Sequence, residues 1–117
     1  MKITLSSVTL WDLSVYHDRE VSQFIVDYAN HCVQIPLKLH AKNGASEKTS
    51  MMFRNVKSLR MNIDEKWGPG IYIYEIVIKD NITSNDNEGQ AFSTTILLNS
   101  GDEIDIVCES IEICDDT

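Results

Sequence analysis

Tyr16, His17 and Asp18 are consecutive, and a histidine beside a carboxylate is the pairing from which a general base is built. The carboxylate orients the imidazole and favours its protonated form. Such a base needs a nucleophile or a held water, and no residue pattern marks one. There is no G-x-S-x-G, no glycine-rich phosphate loop and no Walker motif. Neighbouring His and Asp side chains in a polar stretch more often form caps and turns, and that reading is preferred here. No catalytic residue is assigned.

Metal chemistry is equally unsupported. His17, His31, His40, Cys32, Cys108 and Cys114 offer no C-x-x-C, H-x-x-H or H-E-x-x-H spacing. His31 and Cys32 are neighbours, but on a strand they point to opposite faces. The Asp80–Glu88 segment is rich in side-chain oxygens yet lacks the D-x-[DN]-x-[DN]-G order of a calcium loop. It reads as a hairpin loop, with a contact loop as the second choice. No cofactor and no metal are expected.

The acidic residues carry the stronger signal. The 117 residues have a formal net charge of −8. Residues 1–66 hold nine Lys/Arg against seven Asp/Glu, whereas residues 67–117 hold Lys79 against eleven acids. Glu103, Asp105 and Glu109 lie opposite an apolar row, with Asp102 before them and Glu112, Asp115 and Asp116 after. A chain so charged repels nucleic acid and anionic membrane, because both need a cationic surface. An acidic row serves either as a solvated, aggregation-blocking edge or as a face that docks a cationic partner. Trp67 beside Gly68-Pro69-Gly70, and Trp11 beside Asp12, are candidate interface anchors, although packing in a core or turn accounts for such residues as well.

The elements that must position these groups are strands. Apolar and polar residues alternate in short runs bounded by turn residues. An opening strand spans residues 3–10, and Trp11–Glu20 is a loop or short helical turn. Val21–Tyr28 is a strand, followed by a turn at Asn30-His31. Val33, Ile35, Leu37 and Leu39 form the cleanest half-buried row, with Pro36 placing that strand near an edge or a bulge. Met51–Ile63 is a long strand with one or two phase slips, which bulges would explain. Ile71–Lys79 is apolar on both faces except at Glu75 and is expected to be central and well covered. Phe92, Thr94, Ile96 and Leu98 share a face, and Glu103–Cys114 closes the chain with a slip at Glu109-Ser110. The result is one all-β domain over residues 1–117, an antiparallel sandwich or partly open barrel of about seven strands.

No basic leader precedes a long apolar run, and no stretch approaches the roughly 18 apolar residues of a membrane helix. Three scattered cysteines argue against a disulfide framework, so a reducing cytoplasm is expected.

The Trp11-to-Asp18 segment, Phe53-Arg54-Asn55-Val56 with Leu59, and Leu98-Asn99-Ser100-Gly101 leading into Glu103-Ile104-Asp105-Ile106 together resemble the small β-rich immunity proteins of bacterial toxin–immunity systems, including contact-dependent growth inhibition and polymorphic toxins. The resemblance implies a non-enzymatic cytoplasmic inhibitor that occludes the active site of one cognate toxin domain, with a cationic nuclease as the natural complement to the acidic half. The toxin-binding interface expected on this reading comprises Asp102, Glu103, Asp105, Glu109, Glu112, Asp86, Glu88 and Trp67. The alternative is a small ligand-binding or enzymatic β-barrel built around His17 and Asp18, or Tyr72 and Tyr74.

Overall fold

The computed structural model describes residues 2–4, 13–40, 46–79 and 91–116, of which 63% are strand. Among the described residues ten strands form, not seven: β1 Lys2–Thr4, β2 Glu20–Val21, β3 Ile25–Asp27, β4 Cys32–His40, β5 Ser46–Arg54, β6 Ser58–Met61, β7 Ile73–Lys79, β8 Phe92–Leu98, β9 Glu103–Cys108 and β10 Ser110–Asp116. The count rises because three expected strands are each broken in two. A short 3-10 turn, Leu13–Tyr16, supplies the helical turn anticipated before Glu20. Trp11 lies outside the described residues.

All pairings are antiparallel, and two sheets result. The larger runs β1-β10-β5-β4-β2, with β3 also beside β4; the smaller runs β6-β9-β8-β7. Period-two alternation decides what each strand buries. From β8 the inward row is Phe92, Thr94, Ile96 and Leu98, and from β9 it is Ile104, Ile106 and Cys108. The larger sheet answers with Ile3, Val33, Ile35, Leu37, Met51, Phe53, Ile111 and Ile113. The two apolar faces pack on each other as a sandwich, which is not closed into a barrel.

The phase slips in the sequence are real, and they mark places where chain passes from one sheet to the other. β5 belongs to the larger sheet and β6 to the smaller, with residues 55–57 between them; β9 and β10 change sheets across Glu109 alone. The two crossings are adjacent. The N–H of Glu109 donates to the Arg54 carbonyl (3.1 Å), and that of Lys57 donates to the Val107 carbonyl (2.7 Å). Asn55 takes φ of 53°, a left-handed value that asparagine tolerates better than most residues. Lys57 and Glu109 close the corner with an ion pair at 3.3 Å.

The expected strand Val21–Tyr28 is interrupted. β2 ends at Val21 and β3 resumes at Ile25, both along one edge of β4, and the register against β4 shifts by one residue between them. Pro36 sits opposite that interruption, which is where a residue without an N–H costs no ladder bond. Chain 18–21 also ties the two sheets together. Glu20 pairs with Lys38 in the larger sheet and bridges to Tyr72 beside the smaller one.

One expectation fails outright. Strand β7 is an edge of the smaller sheet, not a central strand. Its inward row of Ile73, Ile76 and Ile78 pairs with Leu98, Ile96 and Thr94, but Tyr74 and Val77 are exposed. A second apolar face does not require a second covering layer when the face is left open.

Burial pushes the Cys108 thiol up to about 12, so almost no thiolate forms near neutral pH. At pH 8 the exposed Cys114 reacts with an alkylating reagent, while Cys108 is modified only once denaturant opens the sandwich. Replacing its buried neighbour on β9, Ile106→Ala, lowers stability by about 2–5 kcal/mol in urea melts and brings Cys108 labelling to correspondingly lower urea. Labelling of Cys108 in the folded protein at the rate of Cys114 would contradict this packing.

Candidate functional site, an exposed aromatic cluster

The turn Asn99-Ser100-Gly101-Asp102 joins β8 to β9, and it organises the segment that precedes β7. Asp102 is 8% exposed and faces inward. Its Oδ1 accepts hydrogen bonds from the backbone N–H groups of Asp64 and Glu65, both at 2.9 Å, and its Oδ2 accepts from Ser100 Oγ at 3.1 Å. The N–H of Trp67 donates to the Ser100 carbonyl (2.9 Å) and that of Gly68 to the Glu65 carbonyl (2.8 Å). Asn99 holds the far end, exchanging backbone and side-chain hydrogen bonds with Tyr72. The segment 64–72 is thus pinned at residues 64, 65, 67 and 72 by Asn99, Ser100 and Asp102 of the turn.

Gly101 is needed for both conformation and space. Its φ is 90°, and a Cβ there would lie 2.8 Å from Lys66 Cγ and 3.0 Å from Trp67 Cδ2. The lysine stem and the indole therefore rest on the glycine backbone. A second set of backbone bonds brings residues 18–21 alongside 71–73. Asp18 N–H donates to the Ile73 carbonyl (2.8 Å), Ile73 N–H to the Arg19 carbonyl (2.9 Å) and Val21 N–H to the Ile71 carbonyl (2.6 Å).

These two anchors place three rings in a row. The centroids of Trp67 and Tyr74 are 6.3 Å apart at an interplanar angle of 72°, and those of His17 and Tyr74 are 6.1 Å apart at 52°. Both distances fall within the range of interacting rings, and the Trp67–Tyr74 pair meets edge to face whereas His17 and Tyr74 are tilted. Trp67 is 58% exposed and Tyr74 is 52% exposed, with Ile71, Tyr72 and Ile63 also open to solvent. Lys66 Nζ lies 5.6 Å from the Trp67 ring. Asp18, Glu65, Glu75 and Glu103 are exposed around the cluster or beside it in sequence.

The structure separates the residues that the sequence grouped as an acidic interface. Asp102 is a positioning group for residues 64 and 65, with its carboxylate committed to their N–H groups and to Ser100. Glu103 is exposed on the outer face of the smaller sheet, where Asp105 accepts a hydrogen bond from Thr95 Oγ1 at 2.6 Å. Glu109 is at the corner with Lys57. Glu112 is on the larger sheet, paired with Arg54 Nε at 2.7 Å. These carboxylates therefore do not share one surface. Asp86 and Glu88 lie outside the described residues. Trp67 ends the row of rings whose middle member is Tyr74, and His17, Asp18, Tyr72 and Tyr74, named in the sequence for an enzyme or ligand site, belong to the same patch.

His17 Nδ1 and Asp18 Oδ2 are 3.2 Å apart, the contact an acid–base dyad would have, but their side chains are 52% and 75% exposed. Two clefts lined by described residues lie away from this pair. One, of about 410 Å³, runs between Val26, Tyr28 and His31 on one side and Val56 and Leu59 on the other. Among the described residues no group of His, Cys, Asp and Glu is arranged to hold a metal ion, and no helix is long and apolar enough to cross a membrane. No protein-family model matches the chain, and no match to a curated protein was found.

The sequence signal for this patch was the two-sided apolar pattern of β7. Solvent exposure of large apolar side chains beside a rigid turn is the arrangement typical of interface anchors.

Asp102 titrates below the ordinary carboxylate range, chiefly because the Glu65 N–H and then the Asp64 N–H bind its charged form, with Ser100 adding to them. Its folded pKa is thus lower than its unfolded one. The stabilisation is complete above the unfolded value of about 3.9 and is lost as pH falls through the lowered folded value. Asp102→Asn therefore lowers the melting temperature at pH 7 and flattens its decline below about pH 4, as read by circular dichroism. Gly101→Ala costs about 1–3 kcal/mol from the φ strain and shifts the Trp67 fluorescence. An unchanged acid limb in Asp102→Asn would remove the clamp assigned to this carboxylate.

Proposed function

We propose that this domain is an immunity-type inhibitor that binds a cationic protein toxin through the Trp67–Tyr74–His17 cluster. The observation that carries the reading is a row of half-exposed aromatic rings held by hydrogen-bonded backbone on both sides. Trp and Tyr dominate interface hot spots because they offer large, stiff, amphipathic surface at small entropic cost. Anchored as they are here, they dock without first being ordered, which spares part of the cost of association.

The charge of the molecule supports a basic partner. A formal net charge of −8 steers a cationic protein toward the domain and hastens encounter, most strongly at low salt. Glu75, Glu103 and Asp18 flank the rings and supply the polar rim. Inhibition follows from occupancy, since a domain of this size seated over a toxin's active-site cleft excludes the toxin's substrate.

The test is co-expression with the C-terminal domain of the protein encoded next to this chain, followed by co-purification. A one-to-one complex that suppresses the toxicity of that domain supports the inhibitor reading. In it, Trp67→Ala or Tyr74→Ala weakens binding by about 2 kcal/mol, roughly 30-fold, with an unchanged melting temperature. Glu75→Lys with Glu103→Lys slows association and reduces its salt dependence. Absence of any complex sinks the inhibitor; a complex indifferent to Trp67→Ala and Tyr74→Ala sinks this surface.

A further inference from the structure

We infer that the Trp67–Tyr74–His17 cluster receives one arginine side chain of the basic partner, and that Lys66 is its built-in competitor. The inference rests on the reading above that the partner is a cationic protein, and it specifies what the surface takes from it.

The rings are inclined to one another, not stacked flat. At 72° between Trp67 and Tyr74 and 52° between Tyr74 and His17, successive planes turn, and about half of the Trp67 and Tyr74 surface stays open to solvent. A ring face is the negative end of the aromatic quadrupole and attracts a cation placed within about 6 Å of its centroid. One such cation is already present, for Lys66 Nζ stands 5.6 Å from the indole centroid. The stem of Lys66 lies against Gly101, where a Cβ would come within 2.8 Å of Cγ and 3.1 Å of Cε. The fold thus delivers an ammonium to the tryptophan.

A guanidinium suits this site better than an ammonium does. It is planar, stacks on an aromatic face with little loss of hydration, and still directs its N–H groups sideways to carboxylates. Two exposed carboxylates neighbour the row of rings, Glu75 next to Tyr74 in the chain and Asp18 beside His17 at 3.2 Å. Docking is then an exchange of cations. The partner's guanidinium takes the indole face and the Lys66 ammonium moves into water, with no covalent bond made or broken. The resident lysine lowers affinity for every cation and sets a threshold that weak ones do not pass.

The experiment uses the full chain labelled with ¹⁵N. The indole N–H resonance of Trp67 is identified by its loss in Trp67→Leu, and acetylated tri-arginine amide is titrated in. Tri-citrulline, which keeps the shape and removes the charge, and tri-lysine serve as comparisons. Arginine produces a saturable shift, lysine binds several-fold more weakly, and citrulline produces none. Lys66→Met keeps the stem, removes the resident cation and tightens the arginine peptide about threefold, the equivalent of an exposed cation–π contact of about 0.5–1 kcal/mol. Lys48→Met, on the larger sheet, controls for the change in net charge and must tighten binding less.

Equal shifts with citrulline or lysine overturn the inference, as does a Lys66→Met protein that binds arginine no better than Lys48→Met does. A toxin complex that forms while tri-arginine leaves Trp67 unmoved removes the arginine site alone. Arginine binding without any toxin partner removes the inhibitor reading and leaves the site standing.

Discussion

Two strands leave one sheet and enter the other side by side, and their backbones remain hydrogen-bonded through the bend. This shared corner is the constraint on which the sandwich rests. A strand that changed sheets alone would leave N–H and C=O groups without partners at the bend, and buried groups of that kind are costly. Here the Arg54 carbonyl receives the Glu109 N–H and the Val107 carbonyl receives the Lys57 N–H. Three residues on one strand face a single residue on the other, so the pleat is reset as the chain crosses. Phe53 and Ile111 on one sheet can then face the core that Leu59 and Ile106 meet from the other. The ion pair and the left-handed Asn55 sit at the one place where regular geometry is impossible.

The same corner dismantles the acidic row. Along the chain, Glu103, Asp105, Glu109 and Glu112 form a near-regular series. In space the chain bends between the second and the last of them, so the first two face outward from one sheet and Glu112 from the other. Two of the four have basic neighbours that only the fold brings near, Lys57 for Glu109 and Arg54 for Glu112. The charge of the half-chain is still felt at a distance by a cationic protein, since long-range fields depend on summed charge more than on local order. Close contact is a different matter, and there the aromatic cluster carries the specificity.

Much of the fold was legible in the residues because period-two alternation is a local property. The rows in β4, β8 and β9 are buried as their spacing implies, and every phase slip lies at a real break. What the alternation does not encode is which strand a given strand pairs with. A slip looks the same whether it produces a bulge within one sheet or a passage between two. The placement of β7 illustrates a second limit. An apolar residue on the outer face of a strand states that water is unfavourable there, not that another layer is present, and Tyr74 and Val77 are exposed. The aromatic cluster was half legible. Residue type marks Trp67, His17, Tyr72 and Tyr74, but His17 is 50 or more positions from the other three in sequence. Their union depends on the backbone ladder between residues 18–21 and 71–73, which no periodicity reveals. The role of Asp102 was not legible at all, because an inward carboxylate serving two backbone N–H groups reads, as a residue type, like its exposed neighbours.

The position of β10 has a consequence for how the protein is made. It lies between β1 and β5 in the larger sheet, so the strand that joins the two is the last of the ten to leave the ribosome. While residues 55–109 are being synthesised, β5 can pair with β4 on one side only, and the edge that carries Met51 and Phe53 has no neighbour. Nascent sheet edges of that kind invite pairing with other chains. The earliest strands are therefore committed to waiting, and the sandwich becomes whole in a single late step, when one strand inserts between two that are already there. Vectorial synthesis thus gives the newly made domain a window of vulnerability that the finished molecule conceals.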